Sequence, residues 1–318
     1  MKEYAFGIDL GGTTAKIGLF KTTGELLEKW EVPTDTSNAG EHILKNLAAA
    51  VQGKMQEKGL AAEQVEGVGV GVPGPVLDSR IVPIICANLG GWGKHNVAEE
   101  LSTMLGGIKV LVGNDANVAA LGEAWKGGGK GFENMVMVTL GTGVGGGLIV
   151  DGHILHGVHG AGGEIGHMTL NRLETEQCTC GKYGCVEQYC SATGVVRLAR
   201  RAMASFNGET SLDPEDLSSK SIFDAAAKGD VLAKKVLDQF FDLLGEALAN
   251  VCATVDPEAL VLGGGVSKAG ELLLEGVRKS FAKYCFHANS GTVFTLATLG
   301  NDAGVYGAFK MMLDEFGK

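Results

Sequence analysis

The sequence predicts an α/β protein built on two sheets. Three observations carry that prediction. Strand-like runs alternate with segments of helical spacing along the whole chain. Glycines gather where those strands end, in GIDLGGT, GVGVGVPGP, TLGTGVGGG and LVLGGGV. A strand–turn–strand unit at the start, DLGGTTAKIGLF, has a counterpart in TLGTGVGGGLIV, so the core reads as a duplication. At 318 residues the chain is long enough for two domains.

The elements follow in order. YAFGIDLGG is a buried strand ending in a glycine turn, TTAKIGLF a second strand, and ELLEKWEVP alternates as a third. EHILKNLAAAVQGKMQEKG has helical spacing, with Ile43, Leu47, Ala50 and Val51 on one stripe, and Gly59 stops it. VEGVGVGVPG and IKVLVGND are buried strands, and ANVAALGEAWKGG is a helix closed by glycine. ENMVMVTLGTGVGGGLIVDGHIL is the second hairpin. ATGVVRLARRAMA, SIFDAAAKG and DVLAKKVLDQFFDLLGEALANVCATV are helices, the last with Val236, Phe240, Leu244 and Leu248 one turn apart. EALVLGGGVS is a strand and glycine loop, ELLLEGVRKSFAKYC a helix, GTVFTLATL a strand and DAGVYGAFKMMLDEF a closing helix. The domains expected from this order are 1–113 plus 303–318, and 114–302.

Composition excludes some functions. The net charge of −10 repels a phosphate backbone, which argues against a nucleic-acid partner. Hydrophobic residues make up 45%, enough for a packed core, yet no apolar run approaches a membrane span. The start MKEYAFGIDL enters a strand pattern without a leader-like apolar stretch, so a cytoplasmic protein is expected. Seven cysteines in such a chain make a disulfide framework a poor first reading.

The glycine loops are the first candidates for chemistry. Asp9-Leu-Gly-Gly-Thr-Thr follows a buried strand, and a tip of amides and threonine hydroxyls can cradle phosphates. Asp9 beside it can hold Mg²⁺ through water. Leu140-Gly-Thr-Gly-Val-Gly repeats the pattern, and two such tips can share one nucleoside triphosphate. Each is equally readable as an ordinary tight turn. Neither matches GxxxxGK[ST], which disfavours a Walker-type NTPase. Gly263-Gly-Gly-Val-Ser can pack on a base or ribose, or simply punctuate strand and helix.

Asn114-Asp115 lies between a strand and a helix. An Asp there is either an N-cap or a general base at the carboxyl end of a strand, where α/β active sites lie. Further on, His167-x10-Cys178-x-Cys180-x4-Cys185 offers one imidazole and three thiolates, the donor set of a closed, structural Zn²⁺ site. Cys178 and Cys180 are one residue apart, too close for an easy mutual disulfide. Glu164 and Glu187 flank this segment, as carboxylates that can bind hydroxyls or as solvated surface residues. His153, His156 and His159 lack a nearby thiolate and read as loop residues. Cys86, Cys190, Cys252 and Cys285 read as small buried hydrophobes.

Together these motifs resemble the ROK family of sugar kinases and transcriptional repressors, over essentially the whole chain. GGEIGHM followed by CTCGKYGCVE is the most specific part; DLGGTTAKIGLF, GVPGP, NLGGW, GNDANVAALGE and TLGTGVGGGLIVDG are similar to family motifs in the expected order. The resemblance implies two actin-like, ribonuclease H-like domains with a cleft between them. The DLGGT loop begins at residue 9, which leaves no room before it for a repressor's helix-turn-helix, and the chain looks most like the ATP-dependent, glucose-phosphorylating kinases. The resemblance makes Asp115 the base for the sugar 6-hydroxyl. It gives Gly74, Asn88, Asn114, Glu164, His167 and Glu187 to the sugar, His167 serving zinc as well. It gives Gly11, Gly12, Thr13, Thr14, Lys16, Thr142 and Gly143 to phosphates, and Gly264 and Gly265 to the adenosine. It also implies a homodimer or homotetramer. The alternatives are a kinase for mannose, fructose, N-acetylmannosamine or N-acetylglucosamine, or a non-catalytic sugar sensor.

Overall fold

The computed structural model describes residues 1–86 and 89–317. It opens with β1 (Tyr4–Leu10), β2 (Thr14–Lys21), β3 (Leu26–Pro33), α1 (Ile43–Lys58) and β4 (Val65–Val72). β5 (Ile81–Cys86), β6 (Trp92–Asn96), α2 (Val97–Met104), β7 (Val110–Asn114) and α3 (Asp115–Lys126) follow. Then come β8 (Met135–Leu140), β9 (Val144–Val150), β10 (His153–Ile154), α4 (Glu187–Cys190), α5 (Ala192–Met203), α6 (Ser219–Ala227) and α7 (Val231–Val255). The chain closes with β11 (Ala259–Gly263), α8 (Glu271–Tyr284), β12 (Val293–Leu296) and α9 (Ala303–Phe316).

Two five-stranded sheets repeat one plan. The first runs β3-β2-β1-β4-β7, antiparallel across β3-β2-β1 and parallel across β1-β4-β7. The second runs β10-β9-β8-β11-β12, with β9 antiparallel to β10 and β8-β11-β12 parallel. In each, the order is third, second, first, fourth, fifth strand of the set, so the duplication suggested by the two glycine hairpins extends to whole sheets. The chain divides into two compact units: Met1–Gly131, Gly147–Gly163 and Leu299–Lys318 form one, Phe132–Gly146 and Glu164–Thr298 the other.

In the first unit the alternation of β1 sorts its side chains onto two layers. Phe6, Ile8 and Leu10 join Leu47 and Val51 of α1 and Leu101 of α2. Ala5 turns the other way and meets Phe20, Val305, Phe309 and Met312. The α9 layer packs closely. A Cβ on Gly7 would lie 2.3 Å from the Val305 carbonyl oxygen, and one on Gly69 would lie 1.8 Å from that of Ala308. These glycines serve helix-on-sheet packing and not a ligand, which corrects part of what the glycine clusters suggested. In the second unit, α7 buries Val236, Phe240, Leu244 and Leu248 as its spacing predicts. Phe223 sets its edge against Phe240 at 5.9 Å.

Two segments escaped the sequence reading. The β5–β6 hairpin contains Pro83, and its Ile84 and Ile85 are exposed, so no inside–outside alternation marks it. Helix α2 has only eight residues and three buried positions, Val97, Ala98 and Leu101. Cys285 is only half-buried, unlike Cys86, Cys190 and Cys252.

Candidate active site and metal centre

The first hairpin tip connects β1 to β2. The Gly11 amide donates to the Thr14 carbonyl at 3.1 Å, closing the turn. Thr34 steadies it from beyond β3: its amide donates to the Thr13 carbonyl at 2.9 Å and its hydroxyl to the Gly11 carbonyl at 2.7 Å. Gly12 and Thr13 stay exposed. Asp9 pairs with Lys16 in the ladder, and their side chains stand 3.9 Å apart. Burial raises the Asp9 carboxyl above its ordinary range, with Lys16 pulling the other way. A Cβ on Gly304 would lie 2.5 Å from the Asp9 carboxyl carbon, so this glycine at the start of α9 makes room for the carboxylate.

Asn114 ends β7 and caps α3. Its Oδ1 accepts the Asn117 amide at 3.1 Å, and its Nδ2 donates to the Gly74 carbonyl at 3.1 Å. Gly74 has φ +87, and its carbonyl is thereby brought to Asn114 from the turn after β4. The N-cap is therefore Asn114, and Asp115 occupies the first helical position. Asp115 Oδ1 accepts the Ala116 amide at 2.8 Å. The capping explanation of Asp115, one of two from sequence, is thus taken over by its neighbour. Asn88 lies outside the described residues. A cavity of about 760 Å³ on this unit, bordered by Arg80, Lys109 and His153 among others, includes none of the candidate residues.

In the second unit the tip Gly141–Gly143 joins β8 to β9. It is backed by the turn between α4 and α5: the Ala192 amide donates to the Gly141 carbonyl at 2.8 Å, and the Thr193 hydroxyl to the Thr142 carbonyl at 2.7 Å. Glu187 lies against the same tip. A Cβ on Gly143 would stand 2.6 Å from its Oε2. Gly264, at φ +82, presses on the Leu140 backbone, whereas a Cβ on Gly265 would meet nothing within 4 Å. The third glycine loop thus rests on the second and leaves Gly265 facing open space.

His167, Cys178, Cys180 and Cys185 come together as their spacing predicts. One donor atom from each lies within 4.8 Å of all the others. The Cys180 and Cys185 sulfurs are 3.6 Å apart, and Cys178 Sγ is 3.8 Å from His167 Nδ1. Sulfur–metal bonds of 2.3 Å in a tetrahedron put sulfurs roughly 3.8 Å apart, so these edges fit a single four-coordinate ion and exclude disulfides. The other ring nitrogen, Nε2, stands 3.9 Å from Glu164 Oε2. Glu187 Oε1 accepts from the Cys178 thiol at 2.9 Å and from the Thr179 hydroxyl at 3.1 Å. Both glutamates therefore border the cluster without being among its four ligands. Burial pushes the Cys185 thiol up to about 12.

Sequence reasoning missed what holds this loop. Glu174 is buried and receives both Arg201 guanidinium nitrogens at 3.0 Å, the Tyr189 hydroxyl at 2.5 Å and the amides of Thr175 and Glu176. Arg201, first among these, pulls the Glu174 carboxyl down to about 2. Buried Gln188 accepts the Cys185 amide at 3.0 Å and donates to the Glu176 carbonyl at 2.9 Å. These partners lie up to 27 positions apart, and no local motif announces them.

Two repeated sheets, each with a glycine–threonine tip after its first strand, define the actin-like ATPase class of fold. Within that class, the ROK family model matches residues 5–315, and the chain belongs to the ROK family. A glucokinase of Halalkalibacterium halodurans is 41% identical over 307 residues, 95% of this chain and 92% of that protein. A glucokinase of Thermotoga maritima is 33% identical over 98% of both chains. The structure of a ROK family glucokinase from Streptomyces griseus, in complex with glucose and AMPPNP, superimposes with a TM-score of 0.74 at 32% identity, covering 97% of this chain and 98% of that one. No described helix is long and apolar enough to cross a membrane.

Proposed function

We propose that this chain is an ATP-dependent glucokinase, transferring the γ-phosphoryl of ATP to the 6-hydroxyl of glucose. One observation carries the assignment of its base. Asn114 caps α3, so Asp115, the first residue of that helix directly after β7, is a carboxylate that the N-cap does not require. The similarity to glucokinases supports glucose over other hexoses.

The glucose O6 attacks the γ-phosphorus, its proton passes to the Asp115 carboxylate, and the bond from phosphorus to the β–γ bridging oxygen breaks as ADP leaves. The Ala116 amide holds Oδ1 during this step. Gly74, Asn88, Asn114, Glu164, His167 and Glu187 orient the sugar hydroxyls. Gly11, Gly12, Thr13, Thr14 and Lys16, with Thr142 and Gly143, take the phosphates, while Gly264 and Gly265 flank the adenosine. The oxygen donors at Asp9 and the space left by Gly304 suit Mg²⁺, which would neutralise phosphate charge. The cysteine–histidine cluster suits zinc with all four positions filled, a structural role that fixes Glu164, His167 and Glu187.

A coupled ADP-release assay across hexoses and N-acetylated amino sugars tests this reading. Glucose is expected to give the highest kcat/KM. A preference of about tenfold or more for another sugar would replace glucose, and sugar binding without ADP release would favour a sensor.

A further inference from the structure

The second hairpin tip and Glu187 are joined by one small polar turn, Ser191–Thr193. Ser191 is fully buried, and its hydroxyl donates to the Glu187 carbonyl at 2.6 Å. The Thr193 hydroxyl donates to the Thr142 carbonyl at 2.7 Å. The two hydroxyl oxygens are 2.9 Å apart. Three contacts thus compete for two hydroxyl protons, because each hydroxyl has one to give. When both protons go outward, the tip and the Glu187 backbone are held together. When one hydroxyl turns to the other, either the Thr142 carbonyl or the Glu187 carbonyl is released. The Gly194 amide, donating to Ser191 Oγ at 2.9 Å, pins that oxygen in place whichever way its proton points. Across the turn, the Glu187 carboxylate lies close to Gly143: a Cβ there would stand 2.6 Å from Oε2 and the carboxylate would have to move.

We propose that Ser191 and Thr193 are positioning residues that couple the nucleotide and the sugar, so that each ligand tightens binding of the other. This rests on the functional reading above, with phosphates at Thr142 and Gly143 and a sugar hydroxyl at Glu187. A nucleotide that draws the Thr142 carbonyl away from Thr193 turns the Thr193 proton onto Ser191 Oγ, which already accepts the Gly194 amide. Ser191 can then give its own proton only to the Glu187 backbone carbonyl, which fixes the start of α4 where the Glu187 side chain meets the sugar. Linkage requires the reverse effect to have the same size.

The test is calorimetric titration of the zinc-loaded protein with glucose, alone and with saturating AMPPNP, and of AMPPNP with and without glucose. In the wild type, each ligand is expected to tighten the other by about fivefold or more, equally in both directions. Thr193→Val keeps the shape and removes the proton; its coupling factor should fall to within about twofold of unity, while glucose alone binds nearly as before. Thr193→Ser should restore the coupling, which a merely structural role for the residue would not predict. A Thr193→Val protein that retains the wild-type factor, or a wild type whose ligands bind independently, overturns the inference while leaving the kinase reading intact. A wild type that binds neither glucose nor AMPPNP overturns the kinase reading itself, and the inference with it.

Discussion

The two sheets share a strand plan, but the extra residues lie in different connections. After its third strand, the first sheet reaches the next long helix through residues 34–42. After the corresponding strand β10, the chain travels through residues 155–191 before α5 begins. The cysteine–histidine cluster and both flanking glutamates occur in that longer connection. Conversely, the first sheet inserts β5, β6 and α2 between its fourth and fifth strands, where the second has α8 flanked by two short 3₁₀ turns. The hairpin tips diverge in the same way: Thr34 supports the first, whereas the turn at Ser191–Thr193 supports the second. Duplication supplied two glycine–threonine tips, and unequal insertions separated the other candidate residues, with Asp115 after the fifth strand of the first sheet and the cysteine–histidine cluster after the third strand of the second.

The sharpest way to break this division is at the base. Asp115→Ala is expected to lower kcat by about 10²–10⁴-fold with little change in glucose affinity by calorimetry. A kcat near that of the wild type would move the base elsewhere. In the other unit, Cys180→Ser should lower zinc below one ion per chain by elemental analysis and raise the glucose KM roughly tenfold or more, with a smaller effect on kcat. Unchanged metal content would dissolve the proposed metal brace.

Glycine permits a comparison by one kind of substitution at two places. In Gly69→Ala the new Cβ would meet the Ala308 backbone, which cannot step aside, and about 2–3 kcal/mol of stability should be lost, read by denaturant unfolding. In Gly143→Ala the neighbour is the end of the Glu187 side chain, which can swing away. Stability should hold while glucose KM rises. If Gly143→Ala unfolded the protein as readily as Gly69→Ala, the second tip would be packing and not a binding loop.

That contrast also marks how far the sequence was legible. Hairpins, tips and the cysteine cluster were readable because each is local: an alternating run, a glycine–threonine turn, three cysteines within eight positions. The purpose of Gly7 and Gly69 was not, since nothing near them in sequence says that α9, some 240 to 300 positions later, presses its backbone on them. The Ser191–Thr193 turn and the hold of Arg201 on Glu174 were hidden for the same reason. Asn114-Asp115 stood between these cases. The pair was visible, but which residue caps the helix depended on where Asn117 places its amide.

The smallest expected effect concerns the Arg201–Glu174 clasp beside the cysteine loop. Glu174 has a folded-state pKa of about 2, below the ordinary 4.5, chiefly because of Arg201. A depressed carboxylate pKa contributes stability that is complete above the unfolded value and is lost as pH falls through the folded one. The window is therefore about pH 4.5 down to 2. The depression corresponds to at most about 3 kcal/mol, and less in practice because Arg201 is 41% exposed and its charge is screened. Comparing wild type with Glu174→Gln by urea unfolding isolates the effect from other acid-sensitive groups. The wild type should be the more stable by about 1–2 kcal/mol at pH 6, with the gap closing towards pH 3. A gap that does not change with pH would mean that the clasp acts through its shape alone, and that its charge contributes nothing to bracing the cysteine loop.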